Sequence, residues 1–369
     1  MLLYNWQQKD WPNFTYSLTG VEDELFSFAE RVGHVSGILK ALPEHIQMEA
    51  VIDIMVAEAI KTSEIEGEYL SRKDVFSSIR KNLGFIVSTE QILDKRAAGI
   101  AALMIDVRKT FKEPLSKEKL FNWHTMLMSN SAGIEVGAWR SHEEPMQIIS
   151  GAMGKQKVHF EAPASAVVGE EMNRYILWFN DTAPGGKKEI KKAALRSAIA
   201  HLYFETIHPF EDGNGRIGRT LAEKALSQGI GRPVMLSLSE TIEATKKNYY
   251  KELEKAQKSN EITSWINFFI KTILQSQIHA EEQVAFTLKK VKFFDRFREQ
   301  FNDRQLTVIK RMLEEGVKGF AGGMNAGKYV GLTKTSKATA TRDLQDLLEK
   351  SALVISGSGR STSYQVRLQ

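Results

Sequence analysis

The 369-residue chain contains no cysteine, which removes disulfides and thiolate-held metals from the chemistry open to it. No stretch approaches the roughly 18 consecutive apolar residues that a membrane-spanning helix needs. The first residues, MLLYNWQQKDWPNF, lack a basic segment followed by an apolar one, so no secretory leader is expected there. These absences predict a cytoplasmic protein without a membrane partner. Internal repeats and low-complexity tracts are missing, and strand signals are scarce before the tail. What is present is ordinary for a folded protein, with 42% hydrophobic and 26% charged residues. The length favours two or three domains.

The net charge of +5 is small but uneven. Residues 289–369 hold 16 Lys and Arg against 8 Asp and Glu, while residues 1–288 hold 34 against 37. The basic character therefore sits in the tail, where a nucleic-acid footprint would be sought.

Helical periodicity dominates. From Met48, the residues Val51, Ile52, Met55, Val56, Ala59 and Ile60 form one stripe at helical spacing. Residues 187–207 and 216–228 carry similar patterns. MQIISGAMGKQKVHF, residues 146–160, reads as two short strands about Gly151 and Gly154, a hairpin. Pro184, Gly185 and Gly186 mark a loop. A composition change near 290–303 introduces a tail in which LTVIKRMLEEG and SKATATRDLQDLLEKS read as helices. ALVISGSGRSTSYQVRL reads as two strands about a Gly-Ser turn, and helix, helix and β-wing is a winged-helix order.

The segment IHPFEDGNGRIGRTLAEKAL, residues 207–226, carries the densest chemistry. Pro209 disfavours helical geometry at His208 and leaves that imidazole at a helix end. Gly213 and Gly215 permit a tight turn, so the amides of Gly213, Asn214 and Gly215 can open the next helix as an anion site. Arg216 and Arg219, three apart, can grip one polyanion. Asp212 is a hard oxygen ligand suited to Mg²⁺ on phosphate oxygens, and His208 is the group left to move a proton. Together they describe nucleotidyl or phosphoryl transfer.

HPFEDGNGRIGR resembles the HxFx(D/E)GNGRxxR signature of the Fic domain family, and the resemblance extends over roughly residues 45–280. It implies a mainly α fold, a Fic-type helical bundle with a small β-hairpin flap. The activity it implies is transfer of AMP from Mg²⁺-bound ATP to a Ser, Thr or Tyr hydroxyl of a target protein. His208 would then be the base and Asp212 the Mg²⁺ ligand. Gly213, Asn214, Gly215, Arg216, Ile217, Gly218 and Arg219 would bind ATP, with Arg219 at the γ-phosphate. Lys157, Val158, His159 and Phe160 would form the flap edge that aligns the target by strand addition. Tyr249, Tyr250 and Gln257 would lie on the adenine side, Gln257 standing where relatives often carry Asn. A tyrosine pair is also an ordinary core feature.

Thr62, Glu66 and Gly67 fit the family's inhibitory pattern (S/T)xxxE(G/N). It implies a helix around 48–67 that brings Glu66 to Arg219 and blocks the γ-phosphate site, and Glu66 could also orient water to remove AMP. The expected division is a packing segment over 1–45, a catalytic domain over 46–285 and a winged-helix domain over 290–369, with a two-fold dimer as the default assembly.

The rival reading is a nucleotide-sensing DNA-binding regulator, with Lys334, Lys337, Arg342 and Arg360 meeting DNA; a protein-docking or dimer-completing tail is the other reading. GGMNAGKY, residues 322–329, imitates a phosphate-binding loop but has Tyr329 where Mg²⁺ needs a hydroxyl, and is assigned to a loop. His201, Glu205 and His208 share a helix face without forming a zinc motif. Trp6 and Trp11 are read as anchors of the N-terminal segment rather than as a ligand-stacking pair.

Overall fold

The computed structural model describes residues 4–85, 94–150, 157–357 and 362–368. The tip of the 146–160 hairpin, with Gly151 and Gly154, and the Gly-Ser turn with Arg360 lie outside them. By contacts the chain divides into two compact units. One combines the residues up to Gly37 with Val51–Ala280, and the other combines Ile38–Ala50 with the residues from Glu281 onward.

The helices begin with α1 (Glu22–Lys40), α2 (Glu44–Ile65), α3 (Arg72–Asn82), α4 (Lys95–Lys109) and α5 (Lys117–Met128). The hairpin of β1 (Gln147–Ser150) and β2 (Lys157–Glu161) follows, antiparallel, with an irregularity between Ile148 and Ile149. Next come α6 (Ser165–Asp181), α7 (Ala193–Ile207), α8 (Asn214–Ile230), α9 (Leu238–Ala244), α10 (Lys246–Ala256) and α11 (Thr263–Phe297). No helix among the described residues is long and apolar enough to cross a membrane.

α7 is the axis of the first unit. From Ala194 to Ile207 every residue is buried, so the helix is not the one-sided amphipath that its pattern suggested. Its polar side chains are satisfied inside: Arg196 donates to Thr182 Oγ1, Ala225 O and Phe179 O, and Ser197 donates to Ala222 O. The helix also starts at Ala193 rather than Lys187. Residues 187–192 hold four lysines, whose positive charge opposes the dipole at a helix N-terminus, and the amides of Lys188 and Ile190 instead bond Asp181 O and Thr182 O. α7 packs most extensively on α8.

The N-terminal segment is an anchor, as its tryptophans suggested. Trp6 Nε1 donates to Glu161 O at 2.8 Å, which fixes the end of β2. Trp11 meets Tyr203 edge-on at 5.1 Å, and the buried Asn5 bonds Gln257 O and Thr206 Oγ1.

In the second unit, α12 (Asp303–Leu313), α13 (Ala326–Thr333) and α14 (Lys337–Glu349) precede the antiparallel pair β3 (Leu353–Ser356) and β4 (Ser363–Val366). This is the expected order of helix, helix and hairpin with one helix added. Asn302, Asn325 and Ser336 cap the three helices through their side chains. The expected loop at 322–329 is half helix, because Asn325 starts α13 there. The Lys328 ammonium folds back onto Ala321 O and Gly323 O, so it cannot serve a phosphate. Lys334 is the left-handed cap of α13 rather than a residue of the following helix. The expected break near 285–290 is also absent: α11 runs through it without glycine or proline, and the contact boundary falls after Ala280.

Asp343 holds this second unit together from within. Its carboxylate, 6% exposed, accepts from Tyr329 Oη and Arg304 Nε, each at 2.9 Å. Asp343→Ala should therefore strand a buried hydroxyl and cost about 1–3 kcal/mol in denaturant unfolding. Adding Tyr329→Phe should return part of that loss in a double-mutant cycle. Strictly additive losses would show that the pair does not interact.

Candidate active site

His208 ends α7 with φ 50 and ψ 60, a left-handed conformation uncommon outside glycine. Both sides of this turn are tied. Its amide bonds Phe204 O, and its carbonyl accepts from Arg140 Nε at 2.8 Å. Arg140 is 2% exposed, and its other nitrogens donate to Ser165 Oγ, Pro163 O and Ile207 O. Burial lowers its pKa to about 10, which still leaves it charged at neutral pH. On the side-chain side, Nδ1 of His208 lies 3.6 Å from Glu205 Oε2. Burial alone would raise the Glu205 carboxyl, but His208, His201 and Arg219 around it outweigh burial and hold it below the usual range. The imidazole is thus oriented by an anion at Nδ1, with Nε2 left for another partner.

The loop after His208 is closed by Asn214, whose Oδ1 accepts from Phe210 N and whose Nδ2 donates to Phe210 O. Phe210 is fully buried and stacks on His124 at 4.1 Å, and His124 in turn meets Asp212 O at 3.2 Å and Gly137 N at 2.9 Å. Gly213 adopts φ 80, and its amide is taken by Asp212 Oδ1 at 2.6 Å. Of the three amides expected to cradle an anion, Asn214 and Gly215 remain as the first of α8, where no carbonyl four residues back is available. Ile217 is fully buried and its side chain packs in the core.

The two arginines of α8 already hold anions. Arg219, with 1% of its side chain exposed, donates from Nη2 to Glu66 Oε1 at 2.8 Å and to Thr62 O at 2.9 Å, and from Nε to Thr62 Oγ1 at 2.8 Å. Burial disfavours its charge, but Glu66 more than offsets this and holds the guanidinium above its ordinary pKa. Arg216, with 3% of its side chain exposed, donates from Nη1 to Glu68 Oε2 at 2.8 Å, while its Nε is buried without a partner. Glu66 and Glu68 both follow the end of α2, where Gly67 takes φ 83. α2 is held by Glu58, which accepts from Ser237 Oγ, Ser239 N and Ser239 Oγ, and by Lys246 Nζ, which donates to Ile65 O. Gly215 matters to this approach: a Cβ on it would collide with Glu66 Oε1 and crowd Arg219 Nη1.

The remaining candidates divide between surface and interior. On β2, Lys157 and Val158 are exposed and Phe160 is buried. His159 Nδ1 lies 2.9 Å from Glu254 Oε2, and Lys258 and His159 lower that carboxyl to about 2. Tyr249 is 1% exposed and bonds His201 Nε2 at 2.8 Å, while Gln257 donates to Glu205 O at 3.2 Å. Both are spent on internal hydrogen bonds, so Tyr250, 40% exposed, is the member of the adenine-side set that presents a surface. On the face shared by His201, Glu205 and His208, His201 is committed to Tyr249, and no cluster of three ligating side chains occurs among the described residues. Sequence reasoning missed Arg140, His124 and Glu68, each a lone polar residue whose neighbours come from distant segments.

A histidine fixed by a carboxylate, set beside a helix N-terminus with two buried guanidiniums that already grip carboxylates, defines an anion-binding centre in a helical fold. Residues 114–226 match the model of the Fic/DOC family, and the chain carries a Fic/DOC domain there. Residues 4–85 match a second family model, a domain of unknown function (DUF4172). The chain is 28% identical over 142 residues to the protein adenylyltransferase fic-1 of Caenorhabditis briggsae, a match covering 38% of this chain and 24% of that protein. It thus spans about a quarter of that curated relative. Among solved structures, a Fic family protein from Desulfovibrio desulfuricans aligns over 96% of this chain and 98% of its own, with 18% identity and a TM-score of 0.52. A Fic domain containing signalling protein from Bacteroides thetaiotaomicron aligns over 70% of this chain and 95% of its own, with 17% identity and a TM-score of 0.53. These two likenesses concern the fold.

Arg140 carries the prediction from this geometry. Arg140→Met keeps the apolar stem but leaves the carbonyls of His208, Ile207 and Pro163 without their donor. A loss of at least about 2 kcal/mol in denaturant unfolding is expected. Arg140→Lys should recover little, because one ammonium cannot span the fork. A loss below about 0.5 kcal/mol, the scale of an inert surface change, would show that these carbonyls find other donors.

Proposed function

We propose that this chain transfers AMP from ATP to a hydroxyl side chain of a target protein, and that Glu66 restrains it. The observation that carries the reading is the state of the two arginines. Each is buried and each holds a carboxylate, so the α8 N-terminus is an anion site that the chain's own acids fill where phosphates would lie. The relative named as a protein adenylyltransferase supports the same chemistry.

In this reading a target hydroxyl, aligned along the exposed edge of β2, attacks the α-phosphorus of ATP. The new P–O bond forms as the bond to pyrophosphate breaks, and the hydroxyl proton passes to Nε2 of His208. Glu205 stabilises the imidazolium that results. The Asn214 and Gly215 amides and the Arg216 and Arg219 guanidiniums hold the phosphates, and Tyr250 offers a surface for the base. Asp212 suits Mg²⁺: its side chain is 57% exposed and supplies a hard oxygen, matching an ion that takes one or two carboxylates and completes its shell with phosphates and water. When bound, that ion would neutralise phosphate charge.

Restraint follows from competition for Arg219. While the guanidinium is held by Glu66 and Thr62, the γ-phosphate lacks its clamp and the α-phosphate is not presented to the hydroxyl. Glu68 does the same at Arg216, a second lock from the same turn.

His208→Ala should lower AMP transfer by about 10²-fold or more while calorimetry shows ATP binding largely retained. Unchanged transfer would sink the assignment of the base. Glu66→Gly should raise automodification by AMP about tenfold to a hundredfold, the worth of a charge-assisted pair of about 1.5–3 kcal/mol. Glu68→Ala should raise it further in the Glu66→Gly background, and Arg219→Ala should not mimic either change. Intact-mass measurement of incorporated AMP is the readout. Incorporation by Glu66→Gly at or below the wild-type level would refute the restraint and leave the His208 assignment standing.

A further inference from the structure

In the second unit, charge is sorted by direction. Between Glu315 and Asp343 the chain has five basic residues, Lys318, Lys328, Lys334, Lys337 and Arg342, and no acid. Of the acids that follow, Asp343 and Asp346 are bonded within the unit and Glu349 is exposed at the end of α14. Asp343 is bound to Tyr329 and Arg304, and Asp346 accepts from Gln305 Nε2 at 2.6 Å and from Lys350. Lys334, Lys337 and Arg342 are exposed and form no ion pair among the described residues.

The backbone places these groups together. α13 ends at Thr333, residues 334–336 turn with Lys334 left-handed at φ 56, and α14 starts at Lys337 under a Ser336 cap. Two helices joined by a three-residue turn form a helix-turn-helix. Ala340, Leu344 and Leu347 face the core with Val308, Ile309 and Met312 of α12 and Tyr329 of α13. The opposite face of α14 presents Lys337, Ala338, Thr341, Arg342 and Gln345, with Glu349 at its far end.

We propose that this face of α14 binds duplex DNA, its N-terminal half lying in the major groove. The side-chain types decide between partners. Protein interfaces are built on large apolar anchors and are depleted of lysine, and this face offers neither an aromatic nor a large aliphatic side chain. Arg342 suits guanine by paired hydrogen bonds, Ala338 and the Thr341 methyl suit the thymine methyl, and Lys334 and Lys337 suit phosphates; Gln345, toward the C-terminal end, donates to Glu349 Oε1 at 3.2 Å. The helix N-terminus adds its positive end to the same half. Three exposed basic groups, with no acid between Glu315 and Asp343 in the sequence, give the field that draws a polyanion.

The test uses the full chain without ATP, so its outcome is independent of AMP transfer. Fluorescence polarisation of a labelled random-sequence duplex of about three helical turns should show binding that weakens steeply from about 50 to 200 mM salt. Lys337→Ala with Arg342→Ala should weaken it about tenfold or more and flatten the salt dependence. Arg342→Gln alone should weaken it less. Lys188→Ala with Lys191→Ala removes the same charge from an exposed stretch of the first unit and should leave binding unchanged. Circular dichroism checks that each variant is folded. Absence of binding at low salt, or equal loss from both double variants, would overturn the proposal. So would a change in the sedimentation of the DNA-free protein on replacing Lys337 and Arg342 without any DNA binding, which would assign the face to a second copy of the chain.

Discussion

A guanidinium buried to 1% exposure must find anions or acceptors, and Arg219 organises the site through that demand. Its three donor contacts to Thr62 and Glu66 tie the end of α2 to the start of α8. Through α8 the same constraint reaches α7, its main packing partner, and so the left-handed turn at His208. The carboxylate that satisfies Arg219 is one-quarter exposed and leaves with little cost to itself; the arginine cannot leave. The interaction is therefore asymmetric, which suits a pair in which one member is exchanged for a ligand.

The candidate site's central stretch was legible because its groups are neighbours in the chain. His208, Asp212, Arg216 and Arg219 need a turn and one helix to meet, and both elements are written in Pro209, Gly213 and Gly215. Glu66 lies 153 residues from Arg219, and it was reached through the resemblance of its short pattern, since nothing in its local sequence marks a partner. Arg140, His124 and Glu68 were invisible for the same reason without such a pattern. Arg140 sits in an irregular segment, and its role arises only when the ends of α7 and of β2 converge on it. Tyr249 and Gln257 show the reverse relation. The resemblance places them on the adenine side, and in the structure Tyr249 on α10 bonds His201 while Gln257, just past its end, donates to the carbonyl of Glu205.

The tail shows how capping overrides appearance. GGMNAGKY has the spacing of a phosphate loop, yet Asn325 offers its side chain to Lys328 N and converts the second half into helix. That conversion supplies the helix preceding the turn at Lys334, and it sends Tyr329 inward to Asp343. Similarly, the lysines of 187–192 look helical by composition but are repelled by the N-terminus they would form, so α7 starts where alanine begins.

Gly215 has a consequence of a different kind. Because a methyl group there would occupy the place of the Glu66 carboxylate, the glycine and the glutamate form one heritable unit. A side chain at 215 would have to displace the Glu66 carboxylate and would still crowd Arg219 Nη1, so the two positions are sterically coupled through a residue that carries no side chain.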